Sequence, residues 1–146
     1  MLVKIAQAKL LFSYSINHFK QIPAMIETKA QKIFIADLFY LKGIKDSVKY
    51  YSQLSGDEMW ILFSKPDIPA FKNKIRMLSS LNHVSSDEIA YYYTLANEKD
   101  SAFIWLNKSI KNKEYSALNF LKVDPHWDLL RNDPRFEIII QNSGIH

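Results

Sequence analysis

Apolar positions recur three and four residues apart along almost the whole chain, the spacing of one face of an α-helix. Ile5, Ala8, Phe12, Ile16 and Phe19 form one such stripe, with Lys4, Asn17 and Lys20 away from it. Pro23 closes that segment or opens the next, and a second helix is predicted from about Ala24 to Lys42, stopped by Gly43. Its later part, from Ile33 to Leu41, carries a single charge, Asp37, so most of its sides are expected to be covered. One or two helical turns are predicted from Asp57 to Phe63. A longer helix opens at Asp67-Ile68-Pro69, with Phe71, Ile75, Leu78 and Leu81 on one stripe. Ser85 followed by Glu88 has the spacing of a capping box and predicts another helix start. That helix carries Ile89, Tyr93 and Ala96 on one face and breaks at Asn97-Glu98-Lys99-Asp100. Beyond the break Ala102, Leu106 and Ser109 make a small-large-small stripe, which lets a neighbouring helix lie close.

Two internal repeats stand out. The turn at Tyr40–Val48 matches the one at Thr94–Ala102 with a constant offset of 54, through Leu41 and Leu95 and through the shared Lys-Asp-Ser of 45–47 and 99–101. The upstream copy is less regular, because Ser52 falls where Leu106 stands. Nearer the end, Asp124-Pro125-His126-Trp127-Asp128 and Asp133-Pro134-Arg135-Phe136-Glu137 repeat one unit nine residues apart. Each places an acidic N-cap, a proline at the first helical position and a ring two residues later.

The Ala102-x3-Leu106 stripe of the helix beyond the Asn97 break and the string LKVDPHWDLLRNDPRFEIIIQNSGI together resemble the C-terminal tetratricopeptide-repeat regions of bacterial signalling proteins. Such regions sit behind winged-helix regulators, nucleotide cyclases and Ser/Thr kinases. The likeness runs from about Ala90 to Ile145, and it departs at Ala96-Asn97, where the family usually carries Leu-Gly. It implies an all-α fold of helical hairpins forming a short α-solenoid. One domain would span residues 1–146, with irregular helices over 1–84, the best-matching repeat at 85–111 and a capping segment at 114–146. A helical array exposes the apolar side of its last helix unless something covers it. Trp127, Leu130, Phe136 and Ile139 or Ile140 can supply that cover. By the same resemblance the first helix of each pair lines a concave surface, presenting Ile33, Asp37 and Tyr40 from one pair and Asp87, Tyr91 and Thr94 from the other. A ring beside a carboxylate suits an extended peptide with a basic residue. Tyr93 is expected on the packing stripe and Tyr91 on the opposite side, since successive helical residues diverge by about 100°.

Composition narrows the function. Hydrophobic residues make up 48% of the 146, and only three are glycine, which suits an ordered helical protein. The net charge of +4 comes from 19 basic and 15 acidic residues that are interspersed, so direct nucleic-acid binding is not expected. No cysteine is present, which removes disulfides and thiolate catalysis. The four histidines form no metal-ligand spacing, and Asp124, His126 and Asp128 are read as a cap with His126 outside it. No phosphate-binding glycine loop or nucleophile motif occurs. No catalysis, cofactor, metal or membrane insertion is therefore expected, and the resemblance implies a binding part of a larger bacterial signalling protein, whose partner would be a peptide, another protein or a neighbouring domain of the parent chain. A cytoplasmic setting is expected, or a periplasmic one if the parent chain has an upstream transmembrane segment. The alternatives are a small-molecule sensor near Trp60 and Phe63 and a nucleic-acid-binding helical repeat.

Overall fold

The computed structural model describes residues 28–65, 67–81, 83–114 and 121–144. These residues are all-helical, with no strand among them: eight α-helices and one 3-10 turn. The stripe predicted over Ile5–Phe19 lies outside the described residues. Where the sequence shows no internal boundary, the chain divides into two compact units, Met1–Ile68 and Pro69–His146.

The first unit holds α1 (Lys29–Leu41), α2 (Lys45–Ser55) and α3 (Glu58–Ser64). Helix α1 starts later than Ala24, because Thr28 and Gln31 close a capping box. The Gln31 amide donates to Thr28 Oγ1 at 3.2 Å, and the Thr28 amide donates to Gln31 Oε1 at 2.9 Å. Ile35, Ala36, Leu38 and Phe39 of α1 are buried, as are Val48, Ser52 and Ser55 of α2 and Met59 and Trp60 of α3. Asp57 caps α3 by accepting from the Trp60 amide at 3.2 Å.

The second unit holds α4 (Ile68–Ser79) from its second residue on, α5 (Ser86–Leu95), α6 (Lys99–Lys111), a 3-10 turn (Pro125–Trp127), α7 (Asp128–Arg131) and α8 (Pro134–Asn142). On α4 the stripe holds at Phe71 and Ile75, both fully buried. It fails at Leu81, which lies beyond the helix end and is exposed, so no neighbouring turn carries it inward. One core gathers Ala90, Ala102, Phe103 and Leu106 from the α5–α6 hairpin with Leu121, Trp127, Leu130, Phe136, Ile139 and Ile140 from the closing segment. The rings that come after each Asp-Pro therefore point inward, as their spacing predicts.

The α1–α2 and α5–α6 hairpins share one turn, displaced by 54 residues. In the first, the Gly43 amide donates to the Tyr40 carbonyl at 2.8 Å and the Ile44 amide to the Phe39 carbonyl at 3.0 Å. In the second, Asn97 donates to Thr94 at 3.0 Å and Glu98 to Tyr93 at 2.9 Å. This pair of bonds satisfies carbonyls that the helix end would otherwise strand, and it requires a left-handed residue. Gly43 takes φ 71° and Asn97 takes φ 57°. The second helices correspond as well: buried Val48, Ser52 and Ser55 stand where Ala102, Leu106 and Ser109 stand. Ser52 thus keeps the register of Leu106 with a smaller side chain. Its buried hydroxyl has no hydrogen-bond partner among the described residues.

Asparagine tolerates the left-handed region better than most residues but less well than glycine. Asn97→Gly should therefore raise stability by up to about 1 kcal/mol, and Gly43→Ala should cost about 1 kcal/mol. An added Cβ at Gly43 meets nothing within 4 Å, so that cost is conformational alone. Urea unfolding of both variants checks the pair of signs.

Candidate functional site

Ile33, Asp37 and Tyr40 are four and three residues apart on α1 and form one row, all three half-buried. Phe63 of α3 meets Tyr40 edge to face, with ring centroids 5.1 Å apart and planes at 81°. Trp60, itself in the core, meets Phe63 at 5.6 Å and 87°, so the tyrosine is backed by a rigid aromatic stack. Burial pushes the Tyr40 phenol above its ordinary value, and the negative charge of Asp37 adds to the shift. Near neutrality the row therefore presents a neutral phenol, an aromatic edge and a carboxylate group on one helix.

The second unit arranges its three expected residues differently. Thr94 is 1% exposed, and its hydroxyl donates back to the Ala90 carbonyl at 2.9 Å, so it offers nothing to a partner. Asp87 is buried. Tyr91 is half-buried and packs edge to face on His126 at 5.0 Å and on Trp127 at 6.2 Å. The side of α5 that helical angles place away from the hairpin stripe is thus covered by the closing segment. His126 likewise does not sit outside. It is half-buried between Asp124 and Tyr91, because the 3-10 turn folds it back on the Asp124 carboxylate.

The capping reading of the acidic residues holds in its backbone part. Asp124 Oδ1 accepts from the His126 amide and Asp133 Oδ1 from the Arg135 amide, each at 3.0 Å. Asp128 pairs with Arg131 at 2.7 Å. No group of three His, Cys, Asp or Glu able to hold a metal occurs among the described residues. No helix among them is long and apolar enough to cross a membrane.

Two arginines that patterning does not single out organise this segment. Arg131 donates to the Leu121 carbonyl at 2.9 Å, to the Lys122 and Asp124 carbonyls, and to Asp128, which pins the chain entering the 3-10 turn. Arg135 binds Asp133 at 2.8 Å and Asp100 of α6 at 2.7 Å, and its guanidinium lies 4.4 Å from the Phe103 ring centroid. It ties α8 to α6 by charge and by a cation–π contact. The expected capping box at α5 is not made. Ser85 has a cap's backbone angles but no side-chain bond, and Glu88 instead accepts from the Tyr92 hydroxyl at 2.9 Å. Glu114 takes the role from beyond the end of α6. Its carboxylate accepts from the Ser86 amide and, at 3.1 Å, from the Ser86 hydroxyl. A full negative charge at a helix N-terminus is favoured by the helix dipole.

No family model matches the chain, and no curated protein or solved structure matches it.

Two carboxylates of the second unit, among the described residues, are held below their ordinary values. Burial alone would raise Glu114, but hydrogen bonds from Asn112 and Ser86 outweigh it and hold the group below its ordinary 4.5. The Arg135 side chain, helped by the Arg135 amide, holds Asp133 down at about 2 from an ordinary 3.8. A depressed folded value means stabilisation that is complete above the unfolded value and lost as pH falls through the folded one. Stability is therefore expected to decline from about pH 4.5 downward, with the Asp133 part lost last, near pH 2. Glu114→Gln should cost about 1 kcal/mol at pH 7, as loss of a charged helix cap does, and should flatten the upper part of that decline. Chemical denaturation at a series of pH values, wild type against variant, reads both effects.

Proposed function

We propose that the chain is a non-catalytic binding module whose hairpins are tetratricopeptide-like repeats of a short α-solenoid. Its partner is a segment of another protein or a neighbouring domain of a longer bacterial signalling or regulatory chain. The observation that carries this reading is the half-buried Ile33–Asp37–Tyr40 row on the first helix of a hairpin, backed by Phe63 and Trp60. A carboxylate beside a rigid ring suits a lysine or arginine side chain, which pairs with the charge and lays its stem or its cation on the aromatic edge and face. The shared left-handed turn at Gly43 and Asn97 supports the repeat relation between the hairpins. The burial of Thr94 and the covering of Tyr91 confine the candidate surface to the first unit.

Selection from a peptide library displayed on phage tests the reading. Enriched sequences are expected to share a basic residue next to an apolar one. Asp37→Asn should weaken their binding by about tenfold, the loss of roughly one charge contact. Tyr40→Phe keeps the ring and should bind nearly as the wild type does. A library that yields no enrichment, or peptides indifferent to Asp37→Asn, would remove the α1 row as a binding surface.

A further inference from the structure

We infer that the outward face of α6 is a second docking surface, separate from the α1 row, for an acidic protein segment that carries an apolar side chain. Ile104 is 66% exposed, the highest value among the exposed large apolar residues described. Helical angles place Lys108 and Lys111, four and seven residues further on, along the same row. Both lysines are exposed, and so is Lys113 just past the helix end. The Lys108 ammonium lies 4.0 Å from the centroid of the half-buried Trp105 ring, which fixes its position beside Ile104.

Positive charge is in excess here, which separates the row from an ordinary solvated helix face. Each acid that flanks α6 is already engaged: Glu98 with Lys72, Asp100 with Arg135, and Glu114 with Ser86 and Asn112. Lys108 is near enough to help lower Glu114, yet it makes no ion pair with it. Lys108, Lys111 and Lys113 have no carboxylate within salt-bridge distance among the described residues. The result is a small cluster on one helical row: exposed Ile104 with Lys108, held on the Trp105 ring, and Lys111, neither lysine in a salt bridge among the described residues. The complement of that cluster is a segment with carboxylates around a leucine or similar side chain, the arrangement that steers encounter by charge and anchors by burial.

The other hairpin carries a matching feature. Displaced by 54, Tyr50 of α2 stands where Ile104 stands and is 60% exposed, while Leu54 and Asp57 stand where Lys108 and Lys111 stand. Core packing explains why buried positions recur between the hairpins. The exposed apolar position is also shared by the two hairpins, whereas the lysines beside it belong to α6 alone.

The test uses the full chain and a fluorescent peptide that alternates glutamate with leucine, read by anisotropy. The peptide is expected to bind. Ile104→Asp and the pair Lys108→Glu, Lys111→Glu should each weaken binding by about tenfold or more, with melting temperature unchanged because the positions are exposed. A polyglutamate peptide should bind at least about tenfold more weakly, since it lacks the anchor. Three outcomes overturn the inference: no binding of the glutamate–leucine peptide, binding insensitive to Ile104→Asp, or polyglutamate binding just as tightly. Phosphatidylserine vesicles that sediment the chain when the peptide does not bind it would assign the face to a membrane surface and would equally overturn it.

Discussion

The α5–α6 hairpin cannot bury its own apolar side, and the second unit is built around that deficit. Ala90, Ala102, Phe103 and Leu106 present a surface that only residues from further along the chain can cover. Trp127, Leu130, Phe136, Ile139 and Ile140 cover it. Two Asp-Pro units make this possible with very little helix. Each aspartate caps a short helical turn and each proline fixes its first residue, so the ring two positions later is aimed before any long-range contact forms. Arg131 then holds the incoming backbone by its carbonyls, and Arg135 links α8 to α6 through Asp100 and Phe103. Unpaired buried carbonyls cost about 1–3 kcal/mol each, so the Arg131 contacts are part of what lets the loop approach the core.

That cover also decides which side chains of α5 stay accessible. By packing Trp127 and His126 on Tyr91, the closing segment removes from display the side of α5 that a binding surface would use. The corresponding row of α1 keeps Ile33, Asp37 and Tyr40 half-buried. Two hairpins with the same turn and the same buried register therefore come to differ in what they leave accessible. The difference arises from what packs against the first helix of each hairpin: the seven-residue helix α3 in one case and the paired Asp-Pro segment in the other.

Much of this was legible in the chain itself, and the misses have a common cause. Features that depend on neighbours within one or two turns were readable: the stop at Gly43, the matched turn at Asn97, the capping aspartates and the inward rings. Features that depend on residues brought together from afar were not. Glu114 caps α5 from 28 residues away, displacing the local Ser85–Glu88 pair, and no periodicity encodes that choice. Tyr91 lies off the hairpin stripe, and its covering comes from a second layer that a helical wheel does not contain. Leu81 shares a spacing with Phe71 and Ile75 but lies past the end of its helix. Three of the six expected residues lie differently for the same reason: Asp87 and Thr94 are buried in α5 and Tyr91 is covered, whereas Ile33, Asp37 and Tyr40 stay half-buried on one row.

The dependence of the hairpin on its cover is tested most directly by a chain ending at Lys122, compared with the intact protein by thermal unfolding and by hydrogen exchange of the α5 and α6 amides. Truncating one large buried ring typically costs about 3–5 kcal/mol, and whole domains are stable by only about 5–15 kcal/mol. Loss of Trp127 and Phe136 together should therefore abolish cooperative unfolding of the second unit and leave its amides exchanging freely. A shortened chain that stays monomeric, melts as the intact one does and keeps its α5 and α6 amides protected would contradict the account.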